Sequence, residues 1–134
     1  MEGKPQQQQQ RSVVRLSYSH AKEGEYAPPN IVQGSPSCMV NNLYLDPSKQ
    51  FSSGVWSSTV GKWTFEQNDS EEFCYILEGV VRLGHDFDGH VEEFKAGDAF
   101  IIPIGFKGYW ETVEDLRKFY CVWEPKPAAA TTSS

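Results

Sequence analysis

Short apolar or alternating runs, each cut off by turn-forming residues, make up most of this chain: "MVNNLYL", "GVWSSTV", "KWTFEQ", "FCYILEG", "VVRLGH", "HVEEFK", "AFIIPI", "GYWETV" and "KFYCVW". Val, Ile, Phe, Tyr and Trp fill the runs, and these are the side chains that suit a pleated, half-buried surface. No long amphipathic helix is visible, and a parallel sheet would need helical crossovers. Roughly nine short strands in little more than 100 residues predict an all-β sandwich or small barrel. Asp88-Gly89 stands between two runs and reads as a tight hairpin turn, since both residues tolerate positive φ.

A chain of 134 residues suffices for one domain with a real core and is too short for two. "PQQQQQ" and "PKPAAATTSS" cannot bury enough area to offset the entropy of ordering them. The expected organisation is therefore a tail over 1–12, a folded unit over 13–124 and a tail over 125–134. No apolar run approaches the roughly 20 residues of a membrane-spanning helix. The opening "MEGKPQQQQQRSVV" lacks the apolar stretch of a secretory signal, so a cytoplasmic location is expected. Cys38, Cys74 and Cys121 are odd in number and widely spaced, which suits reduced thiols better than a disulfide framework.

The net charge is −6, and from Glu66 to Glu93 nine carboxylates face a single Arg82. A surface of that kind repels phosphate backbones, which argues against nucleic acid as a partner. It reads as a solvated, solubilising face.

Two spacings carry more specific information. Glu72 is followed after six residues by Gly79; Gly97 is followed after five by Pro103 and, after one more, by Gly105. Joined by a hairpin, "EEFCYILEG" and "GDAFIIPIGFKG" resemble the paired motifs of the cupins. The stretch from Gly54 to Tyr120 is similar more narrowly to the subfamily named for the (S)-ureidoglycine aminohydrolase cupin domain. That resemblance implies a single-domain, RmlC-like jelly-roll β-barrel.

It also implies a metal shell of two histidines, a glutamate and a third histidine, and here the chain departs from the pattern. Glu72 matches. The first two histidine positions fall on Glu66 and Asn68 in one register, or on Phe65 and Gln67 in the other, and the third falls on Gly108. A transition metal needs about three converging protein ligands, so neither a metal nor any other cofactor is expected at this site. "HDFDGH", with His85, Asp86, Asp88 and His90, flanks the predicted turn and reads as an exposed polar loop; His20 reads as a surface residue.

Alternate residues of a strand share a face. If Glu72 points inward, so do Cys74 and Ile76, while Phe73, Tyr75 and Leu77 point out. Trp110 then faces the pocket two residues after Gly108, with the missing imidazole making room for its indole. Trp56 and Trp63 come from preceding strands, and Lys118 from the last. The candidate site is thus Glu72 and Lys118 as chemically active groups, with Trp56, Trp63, Cys74 and Trp110 contacting a ligand. Aromatic faces with few polar groups suit a small organic molecule with a planar or cationic part.

Three readings follow. One is a metal-independent enzyme in which Glu72 exchanges protons and Lys118 steadies an anion. The others are a binding module without turnover and a metal-dependent aminohydrolase-like enzyme. Cys74 is read as a buried structural thiol rather than a nucleophile. An apolar outer face around Phe73 and Tyr75 suggests a homodimer.

Overall fold

The computed structural model describes residues 11–17 and 24–127. Eight strands form it: β1 (Ile31–Gln33), β2 (Cys38–Leu45), β3 (Phe51–Ser58), β4 (Gly61–Glu66), β5 (Glu71–His85), β6 (Val91–Lys95), β7 (Ala99–Ile102) and β8 (Lys107–Trp123). No helix among the described residues is long and apolar enough to cross a membrane. His20 and most of the two expected tails lie outside the described residues.

All pairings are antiparallel, and two long strands organise them. β5 pairs with β8 from Glu71↔Trp123 to His85↔Gly108. The first part of β5 also pairs with β7 (Glu72↔Ile102) and its second part with β6 (Leu83↔Glu92). Likewise β8 pairs first with β4 (Phe65↔Gly108) and then with β3 (Trp56↔Lys118). With β1 on β4 and β2 on β3, this gives two sheets that share β5 and β8, ordered β1-β4-β8-β5-β6 and β2-β3-β8-β5-β7. The architecture is a single-domain all-β jelly roll.

The nine sequence runs become seven strands because two pairs of runs fuse. "FCYILEG" and "VVRLGH" are one strand, β5, and "GYWETV" and "KFYCVW" are one strand, β8. The interruption read at Gly79 is a bend: its φ is 92°, and a Cβ there would lie 2.2 Å from the carbonyl oxygen of Asp115 on β8. Register shifts between Ile76 and Val81 mark the same place. Only a residue without a side chain lets the strand turn from one sheet into the other while staying paired. The eighth strand, β1, has just three exposed residues and carried no pattern to find.

The turn after β5 also differs from expectation. The loop spans 86–89 and is closed by the His85 N–H donating to the His90 carbonyl at 2.9 Å. Gly89 has φ 76° and Asp88 does not share the positive region, so this is a four-residue loop rather than a two-residue primed turn.

The core lies between the sheets. Cys38, Trp63, Cys74, Ile76, Val81, Leu83, Ile102, Trp110 and Leu116 are buried and contiguous, with Trp56, Phe65, Phe94, Phe100 and Phe106 packed against them. Each large side chain so buried contributes roughly 1.5–3 kcal/mol. All three cysteines carry free thiols.

Candidate functional site

Strand alternation puts Trp63, Phe65 and Gln67, then Glu72, then Trp110, Lys118 and Tyr120 on the inner faces. They line a cavity of about 370 Å³ together with Trp56, Tyr26 and Ile102. Of the predicted site residues, Glu72, Lys118, Trp56, Trp63 and Trp110 therefore meet in one pocket. Cys74 does not line it. It is fully buried beneath the other two, with its Sγ 3.2 Å from Lys118 Nζ and 3.5 Å from Glu72 Oε2. The expected ligand contact by Cys74 is thus corrected to a supporting position behind the pocket wall.

The polar centre is an ion pair. Lys118 Nζ donates to Glu72 Oε2 at 2.8 Å, with the two side chains 5% and 17% exposed. Among the described residues, Glu72 Oε1 has no hydrogen-bond partner. The ammonium also sits over two indoles, 4.7 Å from the Trp56 ring and 4.5 Å from Trp110. Burial opposes its charge and its neighbours Cys74 and Glu72 favour it, so that its pKa is raised. Burial pushes the Cys74 thiol up to about 12. A thiol so held is protonated near neutrality, leaving Glu72 as the counter-charge and depriving Cys74 of nucleophilic character.

The indoles are fixed from behind. Trp63 and Trp110 are near-parallel at 6.3 Å and 23°, and Trp56 meets Trp110 edge-on at 5.2 Å. Trp110 Nε1 donates to Thr112 Oγ1 at 2.9 Å, and that hydroxyl lies 2.9 Å from Ser58 Oγ. Trp56 Nε1 donates to Tyr26 OH at 2.9 Å. With the N–H groups of Trp56 and Trp110 taken up by protein, these two indoles have no N–H to offer a ligand. The seat for a cation over Trp56 and Trp110 is already taken by Lys118, so the expectation of a cationic ligand part is corrected.

Two further positions become clear. The inward register of the first motif is Phe65 and Gln67; Glu66 is exposed and lies 3.8 Å from Lys107. Gly108 does not free space for an indole: a Cβ there would stand 1.9 Å from the Gly84 carbonyl oxygen and 2.9 Å from the Phe106 ring. The backbones of β5 and β8 have closed over that place. The four cupin ligand positions thus hold Phe65, Gln67, Glu72 and Gly108, and the one carboxylate among them already has the chain's own ammonium beside it. These residues do not fit a transition metal.

Tyr26, Gln67 and Tyr120 are the polar pocket residues that sequence reasoning did not select as site residues. Tyr26 forms an isolated bridge to Cys38 outside any strand, so no periodicity pointed to it. Gln67 was one of two open registers. Tyr120 follows Lys118 by two on β8, and alternation alone could have found it. Its hydroxyl donates to Asn42 Oδ1 at 2.5 Å.

The fold agrees with similarity to known proteins. A protein of unknown function from Pseudomonas syringae, of the DUF861 family, superposes with a TM-score of 0.69 at 26% identity over 80% of this chain and 46% of its own. This chain therefore spans under half the length of that protein. The EutQ protein of Clostridium difficile superposes with a TM-score of 0.58 at 15% identity, covering 66% of this chain and 69% of its own. A putative ethanolamine utilization protein Q from Salmonella typhimurium gives 0.57 at 20% identity, covering 69% and 72%. No curated protein sequence matches the chain. The EutQ-like cupin domain family matches residues 45–120, more than half of the chain and both motif regions, and the chain belongs to that family.

Proposed function

We propose that the barrel pocket holds a small, planar organic metabolite rich in N–H groups, of the amide or ureido type, without a metal in the barrel. The observation that carries this reading is the pairing of Lys118 with Glu72 Oε2 at 2.8 Å. It engages Oε2 and leaves Oε1 at the pocket wall as an available acceptor. The Gln67 side chain also lines the cavity, without a hydrogen-bond partner among the described residues, and supplies a second acceptor. The aromatic lining from Trp56, Trp63 and Trp110 suits a flat group. The resemblance to the ureidoglycine aminohydrolase cupin domain points to the same ligand class.

A turnover reading rests on the same carboxylate. A carboxyl group with one uncommitted oxygen at the pocket wall is a competent proton acceptor for a bound N–H or C–H. Binding and turnover share the site and differ in whether product appears.

The test is a thermal-shift screen of tag-free, chelator-treated protein against ureido and amide metabolites, with N-carbamoylglycine as the first probe. A ligand at 100 times its dissociation constant adds about 2.7 kcal/mol, a rise of several degrees for a domain of this size. Rises that occur in wild type and in Cys74→Ser but not in Glu72→Gln support the reading. A panel that shifts nothing, or shifts Glu72→Gln equally, rejects it. Chromatography of the responding mixtures then separates enzyme from binding module.

A further inference from the structure

A second cluster of chemistry-bearing side chains stands outside the barrel pocket, at the β5–β6 hairpin. His85 closes the loop opposite His90, and Glu92 follows His90 by two on β6, so strand pairing and alternation place all three on one face. One potential ligand atom from each of His85, His90 and Glu92 lies within 4.8 Å of the others. Two ligands each about 2.1 Å from one zinc ion stand at most about 4.2 Å apart. Convergence on one ion requires the exposed His90 and Glu92 side chains to turn toward His85, out of the stacked arrangement of the two rings.

The hydrogen bonds around the two imidazoles direct their lone pairs. His85 Nδ1 lies 3.0 Å from the His90 carbonyl oxygen, which can only accept. His85 is therefore protonated at Nδ1 and presents a bare Nε2 in its neutral form. His90 Nδ1 lies 3.0 Å from Asp88 Oδ1, which fixes the same tautomer. His90 Nε2 is then also bare, yet it faces Glu92 Oε2 at 3.2 Å. A lone pair aimed at a carboxylate is repulsive unless a proton or a metal cation lies between them. Backbone carbonyl to one imidazole and carboxylate to the other is the outer arrangement that orients metal-ligating histidines.

The rings also make aromatic contacts. His85 and His90 stack at 3.8 Å and 15°, and Phe106 meets His85 edge-on at 5.2 Å. His85 and Glu92 lie at the mouth of a recess of about 840 Å³ whose walls include Leu83, Phe94, Phe100 and Ile102. His85, Asp86, Glu92 and Lys107 supply its polar side, and Ile102 is the residue it shares with the pocket around Glu72.

We infer that His85, His90 and Glu92 form a site for a divalent transition metal, zinc by its two-imidazole, one-carboxylate donor set, with Asp88 as a positioning residue. The three protein donors leave a coordination position for water or a ligand seated in the recess. The sequence reading of "HDFDGH" as an exposed polar loop is right about its place in the fold. It stopped short of Glu92, which completes the donor set.

Calorimetric titration of zinc into tag-free, chelator-treated full-length protein tests this, with cobalt(II) absorption as a second signal. One equivalent is expected to bind in the micromolar range. His85→Ala and His90→Ala should each weaken it at least about tenfold, and Asp88→Asn by about tenfold. All three hairpin variants alter exposed or half-exposed residues, and circular dichroism checks that they fold. Absence of binding at millimolar zinc overturns the proposal, and so does binding that survives in the His85→Ala/His90→Ala double variant.

Discussion

Lys118 Nζ stands 2.8 Å from Glu72 Oε2 and over the rings of Trp56 and Trp110, at 4.7 Å and 4.5 Å. The carboxylate that a cupin would offer to a metal here neutralises an ammonium of the same chain. Its partner is the more deeply buried of the two, and this asymmetry has energetic consequences.

Removing Glu72 leaves a buried cation without a counter-charge, whereas removing Lys118 leaves a carboxylate that can still reach water. Glu72→Gln is expected to cost about 2–4 kcal/mol, Lys118→Met less, and the double variant less than the sum. Urea unfolding of the four proteins measures it. Additive single effects would show that the pair is not coupled.

Stability should fall on the alkaline side. Burial, the largest cause in each case, holds Cys38 up at about 11 and Cys74 up at about 12. In the unfolded chain both thiols ionise near their ordinary value. Above about pH 9 the folded state therefore holds more protons than the unfolded one, and stability drops as pH rises. Each thiol contributes a slope of up to about 1.4 kcal/mol per pH unit. The raised pKa of Lys118 acts in the same direction at still higher pH. Unfolding midpoints at pH 8, 9 and 10 should decline, and less steeply in Cys74→Ser. Midpoints that stay level over this range contradict the assignment.

At Gly108 no side chain fits. A Cβ would meet the Gly84 carbonyl oxygen at 1.9 Å, so Gly108→Ala is expected to cost at least about 1–3 kcal/mol. Gly108→His should not restore a metal shell, because the side chain has no path into the pocket. Manganese bound stoichiometrically by Gly108→His, and not by wild type, would show that the backbone can reopen.

Much of this was legible in the chain, and the losses have physical causes. Alternation along "EEFCYILEG" correctly put Glu72, Cys74 and Ile76 inside, because a strand with one buried face has a fixed period. It could not say that Cys74 lies beneath Glu72 and Lys118, since depth depends on which side chains converge from other strands. Glycine at 79 looked like a stop because glycine usually ends a strand; with β8 close against it, it bends one instead. The His85–His90–Glu92 convergence needed the true loop length, which the Asp88-Gly89 dipeptide misrepresented.

We also propose that the chain forms a homodimer through the outer face of the β7 side. Phe73, Tyr75 and Ile101 are 38%, 37% and 56% exposed, Phe73 is paired with Ile101, and β7 has β5 as its one strand partner. Covering such an edge and face is a common reason for pairing. Sedimentation should show a dimer that Phe73→Glu/Tyr75→Glu dissociates. A 15.1 kDa species alone at micromolar concentration removes the idea.

The central claim is that the barrel pocket binds its ligand through Glu72 without a metal. Trp56, Trp63 and Trp110 line that pocket, so intrinsic tryptophan fluorescence reports on it directly. The decisive measurement is a fluorescence titration of the strongest hit from the ureido and amide panel into chelator-treated protein, with and without manganese. The account predicts the same dissociation constant in both conditions and binding at least about tenfold weaker in Glu72→Gln, a loss of about 1.4 kcal/mol or more. Binding that appears only when manganese is added, or that is unaffected by Glu72→Gln, would contradict it.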